Sequence, residues 1–302
     1  MLMPLYSQLL VTGGSGFFGW TLTKHAAKFY DTYFTYCQHP MKISGCQEYH
    51  LNLQDSEEIE KVLEEIQPDV IIHTAALTNA DVCEKRRSMA YDINVTGTSR
   101  LAELAEDLGA KFVYISTDLV FDGQQGNYRE TDIPKPCNYY GETKLLGEKA
   151  VKETVSDYLI IRLSLMYGKS HGKSACFTDW LRNGLEQQQS VKLYTDQFRT
   201  PLLVNDGVRS ILKLLEQPIT SETFHIAGQE RLNRYEFGKK FAKAFGYDER
   251  YLQPVTMPEI ELPAQRGSDC SLNIQKIQTL LNMKFSDVDS GLRAMRQNGY
   301  LK

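Results

Sequence analysis

The 302-residue chain lacks any apolar run approaching the roughly twenty residues of a membrane-spanning helix, so no membrane association is expected. Its opening stretch, Met1 to Val11, has no basic segment ahead of the apolar residues and runs straight into a glycine turn. It does not read as a secretory signal. Excess charge of one sign is also missing. A net charge of -4, from 34 Lys plus Arg and 38 Asp plus Glu, gives no footprint for nucleic acid. The six cysteines (Cys37, Cys46, Cys83, Cys137, Cys176, Cys270) include no Cys-x-x-Cys pair, which suits free thiols in a reducing cytoplasm. No His-Glu-x-x-His and no His/Cys/carboxylate cluster with ligand spacing occurs, so no metal is expected. Internal repeats, low-complexity tracts and long linkers are absent.

What the chain does have is an alternation of short apolar runs with helical patterns through residue 163. That alternation indicates an α/β fold, a Rossmann-type doubly wound parallel sheet. Leu9-Leu10-Val11 ends at Thr12-Gly13-Gly14-Ser15-Gly16-Phe17-Phe18-Gly19, and a helical pattern follows from about Phe18 to Lys28. Strand, glycine turn and helix together are the context of a dinucleotide site. Gly13 would make the tight turn, Gly16 would let the backbone approach a pyrophosphate, and Gly19 would let helix and strand pack closely. The spacing is G-x-x-G-x-x-G, and a glycine-rich hairpin is the competing reading.

Thr32 to Tyr36 is the second strand, and its end is where a ribose-reading acid would sit. The chain offers Cys37, Gln38 and His39 there, with Lys42 beyond and no carboxylate. His39 and Lys42 could meet a 2′-phosphate, which favours NADP(H) and leaves NAD(H) open. Tyr49 to Leu53 reads as a third strand. Asp55 and Glu58 read as a capping box for the next helix, which ends before Pro68. Val70-Ile71-Ile72-His73 is a buried strand leading into the small residues Thr74-Ala75-Ala76, against which a cofactor can lie. His73 reads as a packed strand-end histidine. A long helical region ends at Gly109, a C-terminal cap. Phe112 to Ile115 then delivers Ser116-Thr117-Asp118 at a strand's C-terminal end, where open α/β sheets bind ligands. Leu159-Ile160-Ile161 is a sixth strand. Lys169 to Ser174 lacks Walker spacing and reads as a mobile basic loop. A helix near Phe177 to Gln187, a strand at Phe224 to Ala227 and a helix from Tyr235 to Ala244 complete the pattern.

Tyr140-Gly141-Glu142-Thr143-Lys144 carries the chemistry. On a helix the phenol and the ammonium share one face, four residues apart. An ammonium held close favours the phenolate and lowers the phenol's pKa, making the pair an acid/base for a carbonyl oxygen. Thr117 could hydrogen-bond the same oxygen. A Tyr and a Lys on a helix surface is the competing reading.

In this order, the glycine turn, Ser-Thr-Asp and Tyr-x-x-x-Lys resemble an extended short-chain dehydrogenase/reductase. Ser116-Thr117-Asp118-Leu119-Val120-Phe121-Asp122-Gly123, Glu130-Thr131-Asp132 and Tyr140 through Glu148 resemble the dTDP-4-dehydrorhamnose reductase family. His73 to Ala76 and Arg162 to Gly168 resemble further family segments, as does Asp196-Gln197 with Thr200-Pro201, whose Pro-Thr order is reversed. Leu165 stands where the family has a tryptophan, and Arg266-Gly267 where it tends to have Arg-Pro.

The resemblance implies hydride transfer between a nicotinamide and the 4-keto carbon of a nucleotide-linked deoxysugar. It implies Thr117, Tyr140 and Lys144 as catalytic residues. Gly13, Ser15, Gly16, Phe17, Phe18, Gly19, His39, Thr74, Ala75 and Ala76, with Tyr140 and Lys144, would hold the cofactor. Asp118, Leu119, Ser164, Leu165, Gln197 and Arg266 would hold the sugar nucleotide. The partition expected is 1–164 with 192–228 for the cofactor, and an interleaved smaller portion, 165–191 with 229–302, for the substrate. A homodimer is compatible with the family. Leu119 replaces the glutamate of sugar dehydratases and disfavours dehydration. An epimerase remains open, as does a non-catalytic NADP-binding subunit resembling the methionine adenosyltransferase beta subunit.

Overall fold

A computed structural model describes residues 6–171 and 175–300. Residues 1–5 of the opening stretch and Gly172, Lys173 and Ser174 of the basic loop lie outside the described residues.

Seven strands form the main sheet. They are β1 (Gln8–Thr12), β2 (Asp31–Tyr36), β3 (Cys46–His50), β4 (Val70–His73), β5 (Lys111–Thr117), β6 (Tyr158–Leu163) and β7 (Glu222–Ile226). Their spatial order is β7-β6-β5-β4-β1-β2-β3, and every adjacent pair is parallel. The order reverses beside β1, the switch point at which such sheets bind ligands.

The strands bury both faces, and side chains alternate between two cores. Leu9, Val11, Val70, Ile72, Val113, Leu159 and Ile161 face one core, shared with the helices Phe17–Ala26 and Val204–Leu215. Leu10, Ile71, Phe112, Tyr114 and Ile160 face the other, shared with Ser56–Ile66 and Gly97–Asp107. This two-sided cover is why the central strands β1, β4, β5 and β6 are largely apolar, whereas the edge strand β3 is mostly polar. A third core, around Tyr167, Leu181, Leu193, Phe237, Phe241 and Leu292, belongs to the C-terminal portion. The expected 229–302 segment is divided between cores. Leu272, Ile277, Leu281 and Phe285 pack into the first sheet core. No helix among the described residues is long and apolar enough to cross a membrane.

Two local expectations need correction. The third strand is Cys46–His50, earlier than Tyr49 to Leu53, because Cys46 pairs with Thr32 and His50 with Tyr36, so the ladder ends where β2 ends. Asp55 does cap the Ser56–Ile66 helix, accepting from Glu57 N and Glu58 N at 3.1 Å. Glu58 does not reciprocate. Its carboxylate accepts from Asn52 N at 2.7 Å and pairs with His50 Nδ1 at 2.5 Å, which anchors the end of β3 to the helix.

Candidate functional site

One cavity of about 800 Å³ opens at the C-terminal ends of β1, β4, β5 and β6. The cofactor, substrate and catalytic residues that the resemblance implies, from Gly13 to Arg266, all line it. Lys42 does not. Its ammonium reaches Glu48 and is otherwise in solvent, because that carboxylate is its nearest partner. His39 lines the cavity, and of the residues around it, Tyr36, Cys37 and Gln38, none is a carboxylate.

The glycines divide their work. Gly13 has φ +71°, and a Cβ there would sit 2.8 Å from Ala75 Cα. A Cβ on Gly19 would sit 2.2 Å from Gly13 O. Both positions are closed by the protein's own chain. Gly16 is different, since its Cβ would meet only Gly13 O, at 3.2 Å. It starts the Phe17–Ala26 helix, where no side-chain cap is present among the described residues, and a helix start of this kind suits an anion. A Gly16→Val variant is expected to lose NADPH binding by filling that approach. Its melting temperature without ligand should hold, because replacing a capping glycine costs at most about 1 kcal/mol. An unchanged NADPH titration would contradict this.

Tyr140 and Lys144 sit on the helix Tyr139–Thr154. Asn138 caps it, accepting from Gly141 N at 2.9 Å. Gly141 is required by close approach, since a Cβ would lie 2.1 Å from Leu119 O. The helix start therefore lies directly on the Thr117–Leu119 turn. Thr117 Oγ1 accepts from Leu119 N at 3.2 Å and donates to Asp118 Oδ1 at 3.1 Å. A short π-helix, Asp92–Thr96, carries Asn94, which the sequence reading missed. Its amide accepts from Leu77 N at 2.7 Å and donates to Thr143 Oγ1 at 3.0 Å, tying the Tyr140 helix to the segment after β4. His73 is a packed residue, as read from the sequence. It is fully buried and bonded to Thr12 Oγ1 and Thr98 Oγ1 at 2.7 and 3.0 Å.

The electrostatics differ from the expectation that Lys144 lowers the Tyr140 pKa. Burial pushes the phenol well above its usual value, the Asp118 carboxylate adds to the rise, and the Thr117 hydroxyl only partly offsets it. Lys144 contributes little because its own charge is compromised. Burial brings its ammonium down to about 7, against an upward pull from Glu148. Its Nζ lies 4.0 Å from the centre of the Tyr114 ring. The unfolded chain therefore holds a proton that the folded chain has released between about pH 7 and the ordinary lysine range. Ligand-free stability should rise with pH across that window, by at most about 1.4 kcal/mol per pH unit. Lys144→Met is expected to lack this slope in denaturant midpoints compared at pH 6.5, 8 and 9.5. Parallel curves for both proteins would refute the assignment.

Behind the turn lies a buried ion pair, also missed from sequence. Glu148 accepts from Arg162 Nε and Nη2 at 2.9 and 2.7 Å, and from Ser116 Oγ at 2.6 Å. On the C-terminal side the cavity wall carries Gln197, Arg199, Arg234 and Arg266. Arg199 and Arg234 were not singled out from sequence, because a lone arginine in the two-residue strand Phe198–Arg199 or at a helix start has no motif. Arg199 Nε is 3.4 Å from Asp118 Oδ2, which also accepts from Ser164 Oγ at 3.3 Å. Arg266 Nη2 donates to Asp81 Oδ2 at 2.8 Å.

Comparison with known proteins gives a consistent result. A probable low-salt glycan biosynthesis reductase, Agl14, of Haloferax volcanii is 32% identical over 253 residues, covering 83% of this chain and 84% of that one. Methionine adenosyltransferase 2 subunit beta of Pongo abelii is 35% identical over 235 residues, covering 76% and 70%. The crystal structure of dTDP-4-dehydrorhamnose reductase from Bacillus anthracis in complex with NADP superposes with a TM-score of 0.86 at 28% identity, covering 97% of this chain and all of that one. The family described as the RmlD substrate binding domain matches residues 7–300, and the chain, an extended short-chain dehydrogenase/reductase by its motifs and fold, belongs to it.

Proposed function

We propose that the protein is an NADP(H)-dependent reductase of a nucleotide-linked 4-keto-deoxysugar. The observation that carries this reading is the meeting of the glycine turn with Thr117, Tyr140 and Lys144 on one cavity. The open face of Gly16 and the uncapped helix start suit a cofactor pyrophosphate, with Ser15, Phe17, Phe18 and Thr74 to Ala76 around it. A nicotinamide bound there supplies the hydride that no side chain can store. The wall around His39, free of carboxylates, favours a 2′-phosphate over a bare ribose.

The chain's own part is orientation and proton delivery. Thr117 and Tyr140 would take the substrate's carbonyl oxygen between them. Tyr140 gives its proton to that oxygen as negative charge develops, and Lys144 steadies the charge left on the phenol. Asp118, Leu119, Ser164, Leu165 and Gln197 border the sugar. Leu165 offers an apolar contact and no aromatic platform.

Loss of NADPH absorbance against a panel of nucleotide-linked 4-keto-6-deoxysugars tests the reading, with NADH in parallel. Turnover supports it, and the rate ratio decides the cofactor. Silence with NADPH bound supports the second reading, a binding subunit, which the 35% identity to methionine adenosyltransferase 2 subunit beta favours. Cofactor that stays bound through purification, with interconversion of sugar epimers, would instead indicate an epimerase.

A further inference from the structure

Three guanidiniums border the C-terminal wall of the cavity, and two already have counter-ions. Arg199 is held by Asp118 and Arg266 by Asp81. Arg234 has no carboxylate partner among the described residues. It occupies the first position of the helix Arg234–Phe245 and is fixed there by a reciprocal cap. Asn233 accepts from Glu236 N at 2.8 Å, and Glu236 accepts from Asn233 N at 2.9 Å. Its guanidinium lies over the Phe177 ring, 4.7 Å from the centre. A guanidinium can donate five hydrogen bonds. Among the described residues this one makes a single bond, from Nε to Gln197 Oε1 at 3.0 Å. Its Nη1 is buried and has no acceptor among the described residues. Burial, with repulsion from Arg199 and Arg266, outweighs attraction from Asp118 and Tyr194 and brings its pKa down to about 9, so the cation is under-compensated.

A guanidinium with a buried, unbonded nitrogen is costly unless an anion with matching geometry joins it. A diphosphate supplies negative charge and paired oxygen acceptors that fit the guanidinium fork. We propose that Arg234 is the anchor for the diphosphate of the bound sugar nucleotide, with Gln197 orienting it. Arg266, placed from the sequence among the residues that would hold the sugar nucleotide, ties the 264–266 segment to Asp81. Ala264 N donates to Asp81 Oδ1 at 3.0 Å, beside the Arg266 ion pair. The identity of the diphosphate as that of a sugar nucleotide rests on the reductase reading. The anion site itself does not.

The test is calorimetric titration of inorganic pyrophosphate into the full chain with NADPH in excess, so that the cofactor's own pyrophosphate site is filled. Arg234→Met keeps an apolar side chain of similar length and removes the fork. It should weaken pyrophosphate by roughly 10- to 100-fold, the value of a charge-assisted hydrogen bond. Arg234→Lys keeps the charge without the fork and should fall between. Arg266→Met removes a cation already paired with Asp81 and should weaken pyrophosphate less than Arg234→Met. NADPH affinity and melting temperature report whether each variant is folded. If Arg234→Met does not fold, the lysine variant decides alone, and wild-type affinity in it overturns the proposal. Equal affinity in wild type and Arg234→Met overturns it, as does no binding to wild type at millimolar pyrophosphate, or an equal loss in Arg266→Met. Arg234-dependent binding without turnover of any keto sugar would remove the reductase reading and leave the anchor standing. Turnover with an unmoved KM for the sugar nucleotide in Arg234→Met would do the reverse.

Discussion

Tyr140→Phe is expected to lower turnover by about 10²- to 10⁴-fold, the usual contribution of a positioned general acid. NADPH affinity and melting temperature should stay close to wild type. The ring is buried, only 8% exposed, and phenylalanine fills the same space. The neighbouring hydroxyl and ammonium are committed elsewhere. Thr117 is tied to Leu119 N and Asp118, and Lys144 lies over the Tyr114 ring. The upward shift of the Tyr140 pKa has a consequence for direction. Burial and Asp118 keep the phenol protonated at neutral pH. A protonated phenol is the state a reductase needs before hydride arrives. The lysine then matters after the proton leaves, when the phenolate would otherwise be stranded in a dry site. Stopped-flow or steady-state loss of NADPH absorbance measures the effect directly. Near-normal turnover in the variant would remove Tyr140 from the mechanism.

How much of this was legible in the sequence follows from the range of each interaction. The strands were legible because burial on both faces makes Val70 to His73 and Phe112 to Ile115 continuously apolar. The glycine turn was legible because strand, turn and helix follow one another within one βα unit, although Gly13 itself closes against Ala75, beyond β4. The third strand was misplaced by three residues because its end is set by pairing with β2, and its own residues are mostly polar. The Glu58 assignment failed for a similar reason. A carboxylate three residues past a cap has several backbone amides in reach, and Asn52 N won. The direction of the Tyr140 shift was illegible because sequence spacing gives proximity along a helix and says nothing about burial. Arg199 and Arg234 were illegible because their neighbours, Asp118 and Gln197, are brought in from distant segments.

Arg162→Leu is expected to cost about 3–5 kcal/mol of stability, since it leaves the Glu148 carboxylate buried without its partner. The side chains of both residues are almost fully enclosed, at 3% and 1% exposure. Two of the three hydrogen bonds to Glu148 come from Arg162, and Ser116 Oγ supplies the third. A natural domain has only about 5–15 kcal/mol in total, so the loss is a large share of the whole. The double variant Glu148→Met with Arg162→Leu should recover most of it, because an apolar pair of similar volume removes the stranded charge. Denaturant midpoints of the two variants separate this from a simple packing defect, which would make single and double equally unstable. The double variant also tests the link to catalysis. Glu148 is the group that pulls the Lys144 ammonium upward against burial. Without it Lys144 should be neutral through pH 7, and the alkaline limb of the turnover profile should move to lower pH even though the fold is restored. A stable double variant with a wild-type pH profile would confine the pair to structure. A shifted profile would make it a positioning device for the acid/base site one helical turn away.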